Sequence, residues 1–128
     1  MSVRAKKHLG QHFLNDENIA KKIVESLSTS GFENIIEVGP GTGVLTKYLI
    51  SKNNPLFLAE IDGESIVYLL ENYPVINEKN FIGDFLKTDF DFNDDRQIAV
   101  IGNFPYNISS QILFKIIDHY QIVPEMVG

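Results

Sequence analysis

The 128-residue sequence predicts an α/β domain with a doubly wound, mainly parallel sheet that stops before its last strands. Short apolar segments, typical of buried strands, alternate with longer segments whose apolar residues recur at helical spacing. Strands that are apolar along their whole length require cover on both faces, as in a parallel sheet. A glycine-rich turn follows the first strand, where such sheets commonly bind ligands.

The elements can be assigned in order along the chain. The first helix can be capped by Asn15 or Asp16 and ends near Gly31. Four strands follow, the third of them weak, at residues 35–38, 56–60, 80–83 and 98–102. Helices are predicted after the first, second and fourth strands, and the last helix is expected to bury Ile108, Ile112, Leu113, Ile116, Ile117 and Tyr120. Residues 125–128 resemble the beginning of a fifth strand, so we expect the sheet to continue beyond this chain.

Composition indicates a globular protein and excludes several classes of site. Hydrophobic residues make up 44% of the chain and charged residues 22%, and no apolar run approaches the roughly 20 residues of a membrane-spanning helix. Because no signal-peptide core follows the N-terminus, we expect a cytoplasmic protein without a membrane partner. The absence of cysteine excludes disulfides, thiolate metal sites and a cysteine nucleophile. The three histidines lack metal-ligand spacing, so we expect no metal.

Charge is distributed unevenly along the chain. Residues 1–22 contain five basic and two acidic residues, a net charge of +3, whereas the whole chain carries −6. An acidic protein is a poor general binder of nucleic acid, but a local basic segment can contact phosphates. Arg4, Lys6 and Lys7 are the candidates for such contacts. On charge alone, a solvated tail explains them equally well.

The glycine-rich turn Gly39-Pro40-Gly41-Thr42-Gly43 predicts a nucleotide-cofactor site. Glycines permit positive φ and let a ligand approach the backbone closely. The dinucleotide fingerprint would require Gly or Ala where Val44 stands, which counts against NAD. Glu60 lies 21 residues after Gly39 and ends the second strand, where a carboxylate can accept hydrogen bonds from both ribose hydroxyls. That feature fits NAD and S-adenosylmethionine equally well.

The end of the third strand offers a possible adenine site. Asp84 can accept a hydrogen bond from an adenine amino group, and Phe85 can cover the ring. A turn-capping role for Asp84 is equally compatible with the local sequence.

The motif Asn103-Phe104-Pro105-Tyr106 follows the fourth strand and suggests methyl transfer to a base nitrogen. An exocyclic amine is a poor nucleophile because its lone pair is delocalised into the ring. The side-chain oxygen of Asn103 and the backbone carbonyl of Phe104 can each accept one amine N–H, which favours a pyramidal nitrogen. Pro105 stiffens the turn, and Tyr106 offers a face on which an extruded base stacks. A simple strand-to-helix turn with an asparagine cap is the alternative.

Together these motifs resemble the ribosomal RNA adenine N6-dimethyltransferase family, which includes bacterial small-subunit, erythromycin-resistance and eukaryotic members. The resemblance extends to Lys7-His8-Leu9-Gly10-Gln11-His12-Phe13-Leu14, which is similar to the N-terminal motif of the family. It implies the Rossmann-like S-adenosylmethionine-dependent methyltransferase fold and assigns cofactor contacts to His12, Leu14, Gly39, Gly41, Gly43, Glu60, Ile61, Asp84, Phe85 and Asn103. Phe104 departs from the usual Leu or Ile, but its expected contribution is a backbone carbonyl.

The resemblance also implies the reaction and its partners. It implies S-adenosylmethionine as methyl donor, adenine N6 in small-subunit (16S) ribosomal RNA as acceptor, N6,N6-dimethyladenosine as product, no metal, and a role in ribosome biogenesis. It further implies that residues 1–128 form the N-terminal part of a methyltransferase domain, with a basic segment at 1–14. A helical RNA-binding domain would follow in a complete, monomeric enzyme.

Three other readings remain open at this point. A resistance-type enzyme would act on large-subunit RNA, and a ribosome-assembly module would bind RNA without catalysis. A nicotinamide oxidoreductase is disfavoured by Val44 and by the motif at residues 103–106.

Overall fold

The computed structural model describes residues 17–28, 30–104 and 109–128, and its centre is a parallel sheet. This part of the chain contains four strands: β1 (Asn34–Val38), β2 (Leu56–Ala59), β3 (Ile98–Gly102) and β4 (Glu125–Val127). They are ordered β2-β1-β3-β4, and every pair is parallel. From β1 the chain adds β2 on one side and then crosses to add β3 on the other. The order therefore reverses between β1 and β3, where parallel sheets form a ligand crevice.

Within the described residues, four α-helices connect or flank the strands: α1 (Glu17–Glu25), α2 (Thr46–Leu49), α3 (Gly63–Asn72) and α4 (Ser109–Asp118). Two short 3₁₀ helices occupy Glu78–Asn80 and Asp91–Asn93. The predicted helix caps Asn15 and Asp16 lie outside the described residues. Among the described helices, none has both the length and the apolar character needed to cross a membrane.

The sheet separates two apolar cores, as its predicted strands require. Every residue of β1 and β3 is buried. Ile35 packs into one core with residues of α1, α2 and α3, whereas Ile36 packs into the other with Ile112 and Ile116 of α4. Consecutive strand residues thus point to opposite, covered faces. This arrangement confirms the predicted α/β architecture.

The predicted strand at residues 80–83 is reduced to a single bridge. Phe81 pairs in parallel with Leu58, and Ile82 N–H donates to Leu58 O at 3.0 Å. Asn80, at the end of a 3₁₀ helix, bonds β2 through its side chain, which donates to Leu56 O at 2.8 Å. Gly83 then adopts a φ of +79°, which turns the chain out of the extended conformation. The bridge therefore cannot lengthen in either direction.

The apolar face predicted for the last helix was too wide. Ile112 and Ile116 are buried, but Leu113, Ile117 and Tyr120 are 41%, 54% and 69% exposed. Ile108 lies outside the described residues. Residues four positions apart form a narrow stripe on α4, and only that stripe faces the sheet. The predicted strand after this helix is confirmed as β4, which pairs with β3.

Candidate functional site

The glycine turn after β1 has a geometry that requires glycine. Gly39, Gly41 and Gly43 have φ values of +66°, +57° and +89°. The ring of Tyr73 lies directly over Gly43, so a Cβ there would come within 2.8 Å of the ring. The Tyr73 hydroxyl also lies 3.3 Å from the carbonyl oxygens of Thr42 and Gly43 and can donate to them. Tyr73, at the end of α3, therefore fixes the turn from outside.

Glu60 connects the end of β2 to this glycine turn. Its Oε1 accepts the Gly41 N–H at 3.1 Å, and its Oε2 accepts the N–H groups of Ile61 and Asp62 at 3.0 and 3.1 Å. A carboxylate has about four lone-pair sites, so three backbone bonds leave capacity for a further donor. The carboxylate is thereby fixed in orientation at the place where the sequence predicted a ribose contact.

Asp84 and Phe85 lie in a turn that follows the Phe81 bridge. Oδ1 of Asp84 accepts the Leu86 N–H at 2.9 Å, so Asp84 performs the turn-capping role that its sequence allowed. Phe85 is buried in the core on the α4 side of the sheet, with its ring edge-on to Phe90 at a centroid distance of 5.9 Å.

A cavity of about 140 Å³ brings these residues together beyond the carboxyl ends of β1 and β2. Five of the predicted cofactor residues line it: Gly39, Glu60, Ile61, Asp84 and Phe85. The remaining walls are mostly apolar and come from Val38, Ala59, Gly83, Leu86 and Ile112. Two carboxyl groups on an otherwise apolar cleft can orient a ligand that carries a flat ring and several donors.

Asn103 and Phe104 emerge from β3 at the same edge of the sheet. Gly102 pairs with Val38, and a Cβ on Gly102 would approach Val38 O to 2.4 Å, so glycine allows this close pairing of β1 and β3. Asn103 and Gly39 are therefore the residues that directly follow this last pair of the two strands. Phe104 is buried, and its ring packs against the backbone of Gly128. A Cβ on Gly128 would lie 2.2 Å from a carbon of that ring.

Several predicted site residues are not part of the cavity lining. Gly41, Gly43, Asn103 and Phe104 lie outside it, although Gly41 reaches it through its bond to Glu60. Seven others lie outside the described residues: Arg4, Lys6, Lys7, His12, Leu14, Pro105 and Tyr106. Within the described residues, no three histidine, aspartate or glutamate side chains come together as a metal site would require.

Glu37 is a buried titratable residue next to the candidate site, and the sequence analysis did not single it out. It lies within β1, immediately before Val38 and the glycine turn, and is only 1% exposed. The Thr46 hydroxyl donates to its Oε1 at 2.5 Å. Burial, and to a smaller extent repulsion by Glu60, raise the pKa of Glu37 to about 8, against the lowering effect of the Thr46 bond. A glutamate among the apolar residues Ile35, Ile36 and Val38 was the available signal.

Comparison with known proteins identifies the family. The family model for ribosomal RNA adenine dimethylase matches residues 2–127. This chain belongs to that family. Among its curated relatives, the ribosomal RNA small subunit methyltransferase A of Flavobacterium johnsoniae is 51% identical over 127 residues, covering 98% of this chain and 49% of the relative. The protein of the same name from Cytophaga hutchinsonii is 52% identical over 130 residues, covering 98% and 50%. The chain thus spans about half the length of the curated relatives it matches.

Two solved structures of methyl-transferring enzymes share this fold. The match to the 23S rRNA methyltransferase ErmE covers 77% of this chain and 40% of the ErmE chain, with a TM-score of 0.62 and 26% identity. The match to a dimethyladenosine transferase from Plasmodium falciparum covers 84% of this chain and 39% of that protein's chain, with a TM-score of 0.66 and 26% identity. These matches and the parallel sheet confirm the predicted Rossmann-like methyltransferase fold.

Proposed function

We propose that this chain forms the cofactor-binding part of an enzyme that transfers methyl groups from S-adenosylmethionine to N6 of adenines in small-subunit ribosomal RNA, giving N6,N6-dimethyladenosine. The observation that carries the proposal is the cavity beyond the carboxyl ends of β1 and β2, where Gly39, Glu60 and Asp84 converge. The names of the two curated relatives described above support the small subunit as the target. Such a substrate implies a cytoplasmic enzyme with a role in ribosome biogenesis.

The residues of the cavity fit an adenosine-containing cofactor. Glu60 is held by three backbone bonds and has remaining capacity to accept from ribose hydroxyls. Asp84 uses Oδ1 for its own turn, and Oδ2 would accept the adenine amino group while Ile61 and Phe85 contact the ring. The glycine turn would hold the methionine end, together with His12 and Leu14. When bound, S-adenosylmethionine supplies an electrophilic methyl group on its sulfonium.

The acceptor adenine would be held by the motif that follows β3. The Asn103 side-chain oxygen and the Phe104 carbonyl would each accept one N–H of the amine and so relocalise its lone pair. Pro105 and Tyr106 would stiffen the turn and stack on the extruded base, a contact worth about 1–3 kcal/mol. Because the nitrogen becomes acidic once methylated, alignment rather than a strong base would provide most of the acceleration.

The RNA itself would be recognised in part by the basic N-terminal segment. Arg4, Lys6 and Lys7 would neutralise phosphates beside the crevice, so RNA affinity should fall steeply with salt. Curated relatives have about as much chain again as is present here, and we propose that a helical domain within it completes the RNA surface.

The test separates cofactor binding from methyl transfer. Titration calorimetry should show binding of S-adenosylmethionine and not of NAD. Glu60→Ala and Asp84→Ala should weaken that binding about 10- to 100-fold, because each removes a charge-assisted hydrogen bond worth about 1.5–3 kcal/mol. Asn103→Ala should abolish transfer and largely spare binding. Glu64→Ala, an exposed acid at the start of α3, serves as the control.

Two results would contradict this division of roles. Equal loss of cofactor affinity in all three variants would remove the distinction between the cofactor site and the acceptor site. Binding of NAD in place of the methyl donor would overturn the assignment of the cofactor. The target subunit is tested by labelling, since methyl groups should enter isolated small subunits and not large ones.

A further inference from the structure

Lys115 makes a set of contacts that the proposed site does not yet explain. It lies on α4, and its Nζ donates to Leu86 O at 3.2 Å and also to Thr88 O. The same ammonium lies 5.9 Å from the ring centre of Phe85 and 5.4 Å from that of Phe90. Two carbonyls and two aromatic faces thus surround one half-buried cation. A solvated surface lysine does not need such a set of contacts.

The carbonyls that Lys115 binds belong to the 84–88 turn, the segment that begins with Asp84. Within this turn the N–H groups of Lys87 and Thr88 donate to Asp84 O at 3.0 and 3.2 Å, and Leu86 N–H donates to the Asp84 side chain. Asp84, Phe85 and Leu86 all line the cavity. Lys115 therefore connects α4 to the backbone of the turn that carries the predicted adenine contacts.

In the sequence, α4 closely follows the proposed acceptor motif. It begins at Ser109, shortly after the motif at residues 103–106. Ile112 lies three residues before Lys115, on the same side of the helix, and lines the cavity. One helix thus contributes a cavity wall, follows the acceptor motif and holds the 84–88 turn.

The electrostatics are consistent with a cation held in place by its surroundings. Burial lowers the pKa of Lys115, although Asp84 and Asp89 act in the opposite direction. An ammonium that is partly buried loses some of its water contacts, and nearby acceptors can replace them. The carbonyls of Leu86 and Thr88 supply those acceptors.

We propose that Lys115 is a positioning residue, which fixes the 84–88 turn and so sets the adenine end of the cofactor relative to the acceptor motif. The effect of Lys115 on cofactor binding rests on the function proposed above. Its effect on the order of the 84–88 turn does not depend on that function. Lys115 is absent from the cavity lining and is expected to touch neither the cofactor nor the reacting atoms.

The test compares three variants. Lys115→Met keeps an unbranched apolar side chain but removes the charge and the donors, and Lys115→Arg keeps a cation with donors. Lys87→Met is the matched control, because Lys87 lies in the same turn, is exposed, and is not a side-chain donor in any bond described for the turn. Backbone hydrogen exchange without ligand should show the amides of Leu86, Lys87 and Thr88 exchanging at least about tenfold faster in Lys115→Met, with α4 unchanged.

Ligand binding provides the second readout. Lys115→Met should weaken the binding of S-adenosylmethionine and the binding of adenosine by the same factor, about 5- to 30-fold, because both ligands share the adenine end. Lys115→Arg should recover most of this loss, and Lys87→Met should stay within twofold of the unmodified protein.

Specific results would overturn the proposal. Exchange and affinity both within twofold of the unmodified protein in Lys115→Met would refute it, as would an equal loss in Lys87→Met, which would indicate a general charge effect. If Lys115→Met fails to fold, Lys115→Arg decides: near-normal exchange in the turn supports the proposal, and accelerated exchange refutes it. Failure of the unmodified protein to bind S-adenosylmethionine would refute the proposed function, while the exchange measurement would still decide the role of Lys115.

Discussion

Replacement of Glu37 by glutamine should change how the stability of the protein depends on pH. Glu37 is buried inside β1, and burial raises its pKa from 4.5 to about 8. The folded protein therefore holds a proton on this carboxyl over a pH range in which the unfolded chain has released it. Glutamine has nearly the same shape, still accepts the Thr46 hydroxyl and does not titrate. Glu37→Gln thus removes the proton linkage with little change in packing.

The sign and size follow from the two pKa values. Because the folded pKa is the higher one, the stabilisation is complete below about pH 4.5 and is lost as the pH rises to about 8. Each pH unit within that window corresponds to about 1.4 kcal/mol. Between pH 5.5 and 8, the free energy of unfolding should fall by about 3 kcal/mol more in the unmodified protein than in Glu37→Gln.

Urea unfolding from pH 5 to 8.5 measures this difference, since an uncharged denaturant preserves the electrostatics. The two proteins should have similar stability near pH 5, and Glu37→Gln should be the more stable above pH 8. Glu33→Gln is the control, because the Glu33 side chain is 57% exposed and has little desolvation to relieve. A Glu37→Gln difference that stays constant across the range would refute the reasoning and show that Glu37 is already ionised in the folded protein at pH 5.5.

Three further predictions follow from the same structure. Gly43→Ala should lower the free energy of unfolding by about 2 kcal/mol, because its Cβ would meet the Tyr73 ring at a φ of +89°; Gly43→Ala with Tyr73→Ala should cost less than the sum of the single changes. Asp95→Gly should raise the free energy of unfolding by about 0.5–1 kcal/mol in urea, since Asp95 has a φ of +59°. Binding of the cationic methyl donor beside Glu60 should release a fraction of a proton from Glu37 near pH 7.5, and calorimetry in two buffers of different ionisation enthalpy should detect this release in the unmodified protein but less of it in Glu37→Gln.

The parts of the fold that could be predicted depend on local rules. β1, β2 and β3 lie within one residue of their predicted positions, because each is a short apolar segment between turn residues. The meeting of Gly39 and Glu60 at one cavity was also predictable, since parallel strands end at the same edge of a sheet. Neither inference required knowledge of any particular side-chain contact.

The errors arise where a tertiary contact overrides the local pattern. The segment at residues 80–83 has apolar character suited to a strand, but the Asn80 side chain bonds β2 and Gly83 turns the chain away. On α4, the apolar pattern includes Ile117, yet that side chain is exposed because only the stripe through Ile112 and Ile116 faces the sheet. Periodicity predicts that a helix has an apolar face, but the packing geometry decides how wide a face is covered.

Glu37 and Lys115 show why the electrostatics of the site could not be read from the sequence. Glu37 bonds Thr46 across the glycine turn, and Lys115 bonds carbonyls 27 and 29 residues earlier in the chain. The Lys115 bonds join segments that are distant in the chain, and the Glu37 bond depends on how the glycine turn folds, so the sequence shows only an ionisable residue in an apolar setting. Burial then shifts both pKa values toward the neutral form, raising that of Glu37 and lowering that of Lys115. Folded domains usually avoid such desolvated groups, and those that flank a cavity are functional candidates because the fold has retained them at a cost.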